Sequence, residues 1–295
     1  MPHPEPPVQP CPPPDFQPRK PRRAFPPGAT DCHAHVFGPA ARWAYAANRS
    51  YTPPDCLLAD YRRTLAGIGC QRAVLVQPSV YGTDNRAHLD ALAEAGPAFR
   101  MVAVAEPDVP QAELERMHAA GVRGVRFNVV TRGGLAIAGI ERMARRLVPL
   151  GWHIQLFAGA DTLARLERTL AALPVPVAID HMGHVTTDLG LEHPGFQALL
   201  RLLRGGNAWV KLSGAYRTSR QQRAPFSDVL PYARALIEAG PQRCVWGSDW
   251  PHPMVNDRPM PNDGDLADLL ADWAPDETQR RRILVDNPAR LYGFP

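Results

Sequence analysis

The chain has 295 residues, 45% of them hydrophobic and 21% charged, with a formal net charge of +4. That length suits one large domain or two small ones, and the composition is that of a globular protein rather than a low-complexity chain. The modest charge is scattered after residue 23, which argues against a nucleic-acid surface, and no apolar run reaches the length of a membrane span.

Residues 1–28 come first and form a proline-rich arm: 12 of the 33 prolines fall in the first 27 positions. No apolar h-region of a signal peptide is present, so the arm is expected to be extended, polyproline-like or disordered, and its "RKPRR" cluster a solvated basic patch. The folded domain is expected to run from 29 to 295. Its first strand is "TDCHAHVF" (30–37). Alternation along a strand puts Asp31, His33 and His35 on one face and Cys32, Ala34 and Val36 on the other. Further strands are expected at 72–79, 99–107, 121–128, 151–158, 175–183, 208–214 and 243–251. Helical stretches lie between them at 89–96, 111–121, 139–151, 162–173 and 229–240, several ending in glycine, and a closing helix follows at 276–294. Strands alternating with helices predict a parallel α/β sheet, and eight such units predict a (β/α)8 TIM barrel. An open doubly wound sheet is the competing architecture. It would carry a glycine-rich turn after the first strand, and none is there.

A barrel of this kind places function at the C-terminal ends of its strands. The polar residues obey that demand. His33 and His35 end strand one, Gln77 and Ser79 strand two, and Arg126 and Asn128 strand four. Asp180 and His181 end strand six, Ser213 ends strand seven with Tyr216 and Arg217 just beyond, and Asp249 ends strand eight, followed by Trp250 and His252. Only Lys20 and Lys211 are lysines among the 33 basic residues, so an anion site here must rely on arginine forks. The five cysteines, Cys11, Cys32, Cys56, Cys70 and Cys244, are odd in number and lack CxxC spacing. This argues against a disulfide framework or a structural zinc site and fits a reducing, cytoplasmic setting.

The HxH pair at His33 and His35, His181 and Asp249 resemble the marks of the amidohydrolase superfamily. Within it, "HVFGP", "VQPSVYGTDN", "GVRGVRFN", "DHMG", "VKLSG" and "WGSDWPHP" resemble the branch containing 2-pyrone-4,6-dicarboxylate lactonase, over about residues 30–294. The resemblance implies a hydrolase that opens a small carboxylated lactone. Sugar lactonases and metal-dependent decarboxylases on the same barrel are the alternatives, and a non-catalytic anion-binding barrel is a third. Strands four and five offer Arg126, Asn128, Gln155 and Phe157, with His153 near the start of strand five, so a two-metal site is not expected. One zinc could sit on His33, His35, His181 and Asp249. The resemblance implies chemistry without a required metal, and that is the expectation. Asp249 is then the base, its pKa raised by burial, and the three histidines donate hydrogen bonds to the carbonyl oxygen. Arg126, Arg132 and Arg217 are expected to clamp substrate carboxylates, with Ser79 and Tyr51 as polar contacts.

Overall fold

The computed structural model describes residues 7–295. All eight expected strands form, all parallel: β1 (Thr30–Ala34), β2 (Arg72–Val76), β3 (Phe99–Ala103), β4 (Val122–Asn128), β5 (His153–Phe157), β6 (Val177–Ile179), β7 (Ala208–Leu212) and β8 (Cys244–Trp246). Each pairs with its neighbour in sequence, so the sheet runs in order from β1 to β8. The seam between β8 and β1 is joined just past the strand ends. There Asp249 N–H donates to His33 O and His35 N–H to Trp250 O, both at 2.8 Å, and a nearly closed barrel results.

Parallel neighbours need crossovers, and helices supply them. Besides the stretches marked by periodicity, Leu58–Ile68 and Pro194–Gly205 serve as crossovers, and Asp263–Trp273 follows β8. Leu58–Ile68 shows why such a segment is helical. Its buried residues Leu58, Tyr61, Leu65 and Ile68 recur at helical spacing, the Asp60 carboxylate accepts from the Leu57 N–H at 2.8 Å, and Gly69 ends it at φ 85°. The closing helix is a single run carrying a π-helical turn at Arg282–Asp286.

Alternation along the strands makes two cores. Ala73, Leu75, Ile154 and Leu156 face the helices. Cys32, Val74, Val76, Val102, Ala178 and Val245 form a separate cluster with Tyr292 and Phe294 from the chain's end. Side chains from strands around the whole sheet can meet only on the barrel axis, so the C-terminal segment plugs the axis at the N-terminal end of the strands. Above this apolar plug the interior turns polar: Gln155, Lys211, Asp180 and Arg126 are all buried there, while His153, at the start of β5, packs against the Tyr292 ring.

Strand β1 departs from simple alternation, and Asp31 does not share a face with His33 and His35. A register shift falls between Asp31 and Ala34. The Asp31 carboxylate turns toward the helix Leu58–Ile68 and accepts from Tyr61 OH (2.9 Å), Ser248 N–H (2.9 Å), the Ser248 hydroxyl and His33 N–H (3.1 Å). It ties β1 to the end of β8 instead of facing the site.

The arm is extended and packed from residue 7 onward; residues 1–6 lie outside the described residues. Gln9–Pro10 pairs in parallel with Tyr51–Thr52, and Cys11 N–H donates to Thr52 O at 2.9 Å. Arg19 N–H donates to Asn262 Oδ1 at 2.8 Å, and the Phe25 ring meets Trp246 edge-on at 5.2 Å. Within "RKPRR", Arg22 reaches Asp268 (3.0 Å) and Asp272 (3.2 Å), so this part of the cluster is paired rather than free in solvent.

Candidate active site

The strand ends converge on one point. Asp249 Oδ1 lies 3.8 Å from each of three ring nitrogens, the Nε2 atoms of His33, His35 and His181. The His33 and His181 rings are 4.6 Å apart, and those of His33 and His35 5.1 Å apart at nearly right angles. Asp249 Oδ1 and His33 Nε2 are buried and have no hydrogen-bond partner. Buried polar atoms without partners are costly, so this point is built to receive something. The close packing beneath it has a sequence reason. Gly247 passes so near His33 that a Cβ there would lie 2.7 Å from the His33 Cβ.

The other oxygen of Asp249 is fixed. Tyr216 OH and Arg217 Nε both donate to Oδ2 at 2.6 Å. Behind Tyr216 stands His252, its Nδ1 3.3 Å from the phenol oxygen and its Nε2 3.2 Å from Asp263 Oδ1. Asp249 itself sits at φ 68°, a left-handed conformation that costs a non-glycine residue about 1–3 kcal/mol and is found where geometry serves function. Burial pushes its carboxyl up, as the sequence led us to expect. The Arg217 charge outweighs it and holds the carboxyl well below the usual carboxylate range. Asp249 is therefore ionised, with its bare oxygen aimed by the clamps on the other.

Each histidine is held from behind. His35 Nδ1 lies 2.6 Å from Val76 O, His181 Nδ1 2.9 Å from Ser213 Oγ, and His33 Nδ1 3.3 Å from both Lys211 Nζ and Asp180 Oδ1. Burial keeps all three rings neutral, pushing His35 down to about 3, His181 to about 4 and His33 well below its ordinary value. A carbonyl oxygen can only accept, so the single proton of neutral His35 sits on Nδ1 and its Nε2 is a bare acceptor. The expectation that all three histidines donate to an oxyanion thus fails at His35.

Beneath the histidines, Asp180 Oδ2 accepts from Arg126 Nε (3.2 Å), Arg126 Nη2 (3.1 Å) and Gln155 Nε2 (3.1 Å). Lys211 Nζ donates to Gln155 Oε1 (2.7 Å) and Cys32 O (2.9 Å). Burial would raise the Asp180 carboxyl, but the adjoining His33 ring and the charges of Lys211 and Arg126 hold it well below its ordinary range. The same burial lowers the Lys211 ammonium to about 8.

The expected anion contacts are divided among three places. Arg217 is bound to Asp249, and Arg126 to Asp180 with its Nη1 on Gln77 O at 3.3 Å. Tyr51 comes close to both arginines. Burial raises its phenol, opposed by the charges of Arg126 and Arg217 and a hydrogen bond with Ser79. Thr131 Oγ1 donates to Ser79 Oγ at 2.9 Å. Arg132 lies further out. With Gln9, Ser50, Tyr51, Met254 and Asn256 it lines a cavity of about 360 Å³ beside the arm, its N–H donating to Ser50 Oγ at 2.9 Å. No role for Lys211, Ser213, Gln155, Asp180, Tyr216 or His252 follows from the sequence pattern. Their inward parity at the strand ends was visible; which group each would clamp was not.

Two overlapping groups bring ligand atoms within 4.8 Å of one another, His33 with His35 and Asp249, and His33 with Asp180 and His181; such nitrogen and oxygen donors suit one zinc ion. Arg126, Asn128, Gln155 and Phe157 offer nothing to bridge a second metal.

A parallel eight-stranded barrel with this constellation on its C-terminal rim defines a hydrolase-type barrel. A family model described as Amidohydrolase matches residues 30–294, and the chain belongs to that family. It is 41% identical over 276 residues to the 4-sulfomuconolactone hydrolase of Hydrogenophaga intermedia, covering 92% of this chain and 91% of that one. It is 39% identical over 285 residues to the 2-pyrone-4,6-dicarboxylate hydrolase of Comamonas testosteroni, covering 93% of each. A crystal structure of an Agrobacterium tumefaciens protein without ligand superposes with a TM-score of 0.85 at 30% identity, covering 93% of this chain and 99% of that one.

Proposed function

We propose that the protein hydrolyses a small lactone bearing anionic groups, a dicarboxylated pyrone-type lactone in the first instance. The observation that carries this is Asp249. One oxygen is clamped by Tyr216 and Arg217, and the other is bare, ionised and equidistant from three neutral imidazoles. The two relatives named above, one for a sulfonated and one for a dicarboxylated substrate, support the reading. The arginines near the rim and mouth suit such a substrate, since guanidinium forks pair with carboxylates and sulfonates.

The mechanism follows from the donors and acceptors. A water held between Asp249 Oδ1 and the bare His35 Nε2 gives a proton to Asp249 as its oxygen attacks the lactone carbonyl. Negative charge grows on the carbonyl oxygen, which faces His33 and His181; one such donor is typically worth about 3 kcal/mol. The ring C–O bond then breaks, and the leaving oxygen takes the proton back from Asp249. Arg126 and Arg217 hold the substrate's anionic groups near the histidines, with Tyr51 and Ser79 beside them, and Arg132 meets it at the mouth.

No metal is required in this scheme. A zinc ion on His33, His35, His181 and Asp249 would supply Lewis-acid polarisation of the carbonyl. We place the reaction in the reducing cytoplasm, because all five cysteines are free thiols. No described helix is long and apolar enough to cross a membrane.

The test is a panel of dicarboxylated and sulfonated lactones, their neutral methyl esters and neutral sugar lactones, assayed with and without chelator. Rapid opening of the anionic lactones alone is expected. Preference for neutral sugar lactones, or carbon dioxide release from an aromatic acid instead of ring opening, overturns the assignment.

A further inference from the structure

Lys211 is the one lysine in the barrel interior, and neither of its hydrogen-bonded partners is a reacting group. It nevertheless stands where it decides what His33 can do. A neutral imidazole carries one proton, on Nδ1 or on Nε2. For His35 the acceptor Val76 O settles the matter. For His33 the nearest groups disagree: Nδ1 lies 3.3 Å from Lys211 Nζ, which can only donate, and 3.3 Å from Asp180 Oδ1, which accepts.

The remaining bonds break the tie. Lys211 has three N–H groups and no acceptor. Two are used on Cys32 O and Gln155 Oε1. The nearest acceptor for the third is His33 Nδ1, since Asp180 Oδ1 is farther away at 3.6 Å. Asp180 Oδ2 takes three donors from Arg126 and Gln155, whereas Oδ1, though 3.3 Å from His33 Nδ1, makes no hydrogen bond, so the contact with Lys211 is the hydrogen bond that His33 Nδ1 makes. The Gln155 amide fits only one way round, oxygen to the ammonium and nitrogen to the carboxylate. A proton on His33 Nδ1 would set an N–H against the third ammonium hydrogen inside a dry interior. A lone pair there accepts that hydrogen and sends the imidazole proton to Nε2.

We propose that Lys211 is a positioning residue that fixes the proton of His33 on Nε2, so that His33 faces the reacting carbonyl as a donor while His35 faces the same point as an acceptor. The three histidines are then not equivalent, and their difference is imposed from beneath by one buried ammonium. The catalytic consequence rests on the hydrolytic reading above; the proton's location does not.

The experiment reads the tautomer directly. Protein labelled with 15N-histidine is studied by long-range 1H–15N correlation, with the His33 ring assigned by its loss in His33→Asn. Wild-type protein as purified is expected to show His33 protonated on Nε2 and one ring, His35, protonated on Nδ1. Lys211→Met, close in shape and without a donor, is expected to move the His33 proton to Nδ1, toward Asp180. The same variant should lose about 100-fold in kcat with KM little changed, the usual effect of removing one oxyanion donor. A His33 proton on Nδ1 in the wild type, whether drawn by Asp180 or because a metal occupies Nε2, overturns the proposal even if the variant fails to fold. So does a Lys211→Met spectrum unchanged from wild type. Failure of the hydrolytic reading looks different: no lactone is opened, yet the tautomers are as described.

Discussion

Replacing Asp249 by asparagine separates its chemical role from its structural one. The amide oxygen can take the place of Oδ2 and accept from Tyr216 and Arg217, as the carboxylate does at 2.6 Å. The amide nitrogen then faces the three Nε2 atoms in place of Oδ1. It has hydrogens where a lone pair was needed and cannot take a proton from water. General-base catalysis is typically worth about 10²–10⁴ in rate, so kcat should fall by at least 100-fold. A second cost is predictable. Arg217 loses the opposite charge beside it in a largely buried site, and breaking such a pair costs about 3–5 kcal/mol. Because the amide still accepts the hydrogen bond, the lower end applies, which for a chain of this size is a fall of roughly 6–12 °C in Tm. The pH dependence gives a third reading. A carboxyl held below its unfolded value of about 3.9 stabilises fully above that value and loses the contribution as pH falls through its folded value. The gap in stability between wild type and Asp249→Asn should thus be widest near neutrality and close only below about pH 4. The assays are steady-state hydrolysis of a dicarboxylated lactone and thermal unfolding across pH. A loss of turnover under tenfold in a folded variant would show that the base lies elsewhere.

Prolonged chelation should leave activity unchanged, as measured by lactone opening after metal analysis; activity that vanishes and returns with zinc would show that the metal is needed. Removing Arg126, Arg132 or Arg217 should each cost about 1.5–3 kcal/mol in kcat/KM for an anionic lactone; deleting the matching substrate group should abolish the effect at Arg132 but leave part of it at Arg217 and Arg126, which also hold Asp249 and Asp180. Lysine should restore Arg217 least, since one guanidinium serves both Asp249 and the Pro253 carbonyl. Asp31→Ala should cost several kcal/mol in urea unfolding, because it strands donors from Tyr61, Ser248 and His33 at roughly 1–3 kcal/mol each. A cost below about 1 kcal/mol would show that the site relaxes around the loss.

The barrel was legible because its signals are local and repeated. Each strand is a short apolar run whose neighbour follows after a helix, and sequential parallel pairing leaves few other arrangements. His33, His35, His181 and Asp249 were legible because strand ends in a barrel share a rim. Asp31 was misplaced by alternation: the register shift lies in the pairing of β1 with β2, the Asp31 carboxylate accepts from Ser248 just past β8, and no pattern inside "TDCHAH" reveals either. The lowered Asp249 pKa was missed for a related reason: burial is visible in the apolar "CVW" run, but the clamp by Arg217 forms across a loop. Arg217 and Arg126 took the plainer option of pairing with Asp249 and Asp180 as well as lying near the site. The arm's composition told of an extended chain but not of its partners, which are acids and ring faces on distant helices and strands.

The pairing of Gln9–Pro10 with Tyr51–Thr52 gives the two ends of this chain unlike surroundings. At one end Pro7 and Gln9 form part of the wall of the mouth cavity that also contains Tyr51 and Arg132. At the other, Tyr292 and Phe294 are packed into the apolar plug on the barrel axis, with Pro295 just beyond. Cargo joined directly ahead of Pro7 would stand beside the entrance, whereas cargo fused behind Pro295 would hang from the opposite face. Trimming the chain back to the barrel's first strand would be no neutral simplification. It would strip Tyr51–Thr52 of its neighbouring strand and widen the doorway through which a substrate must pass.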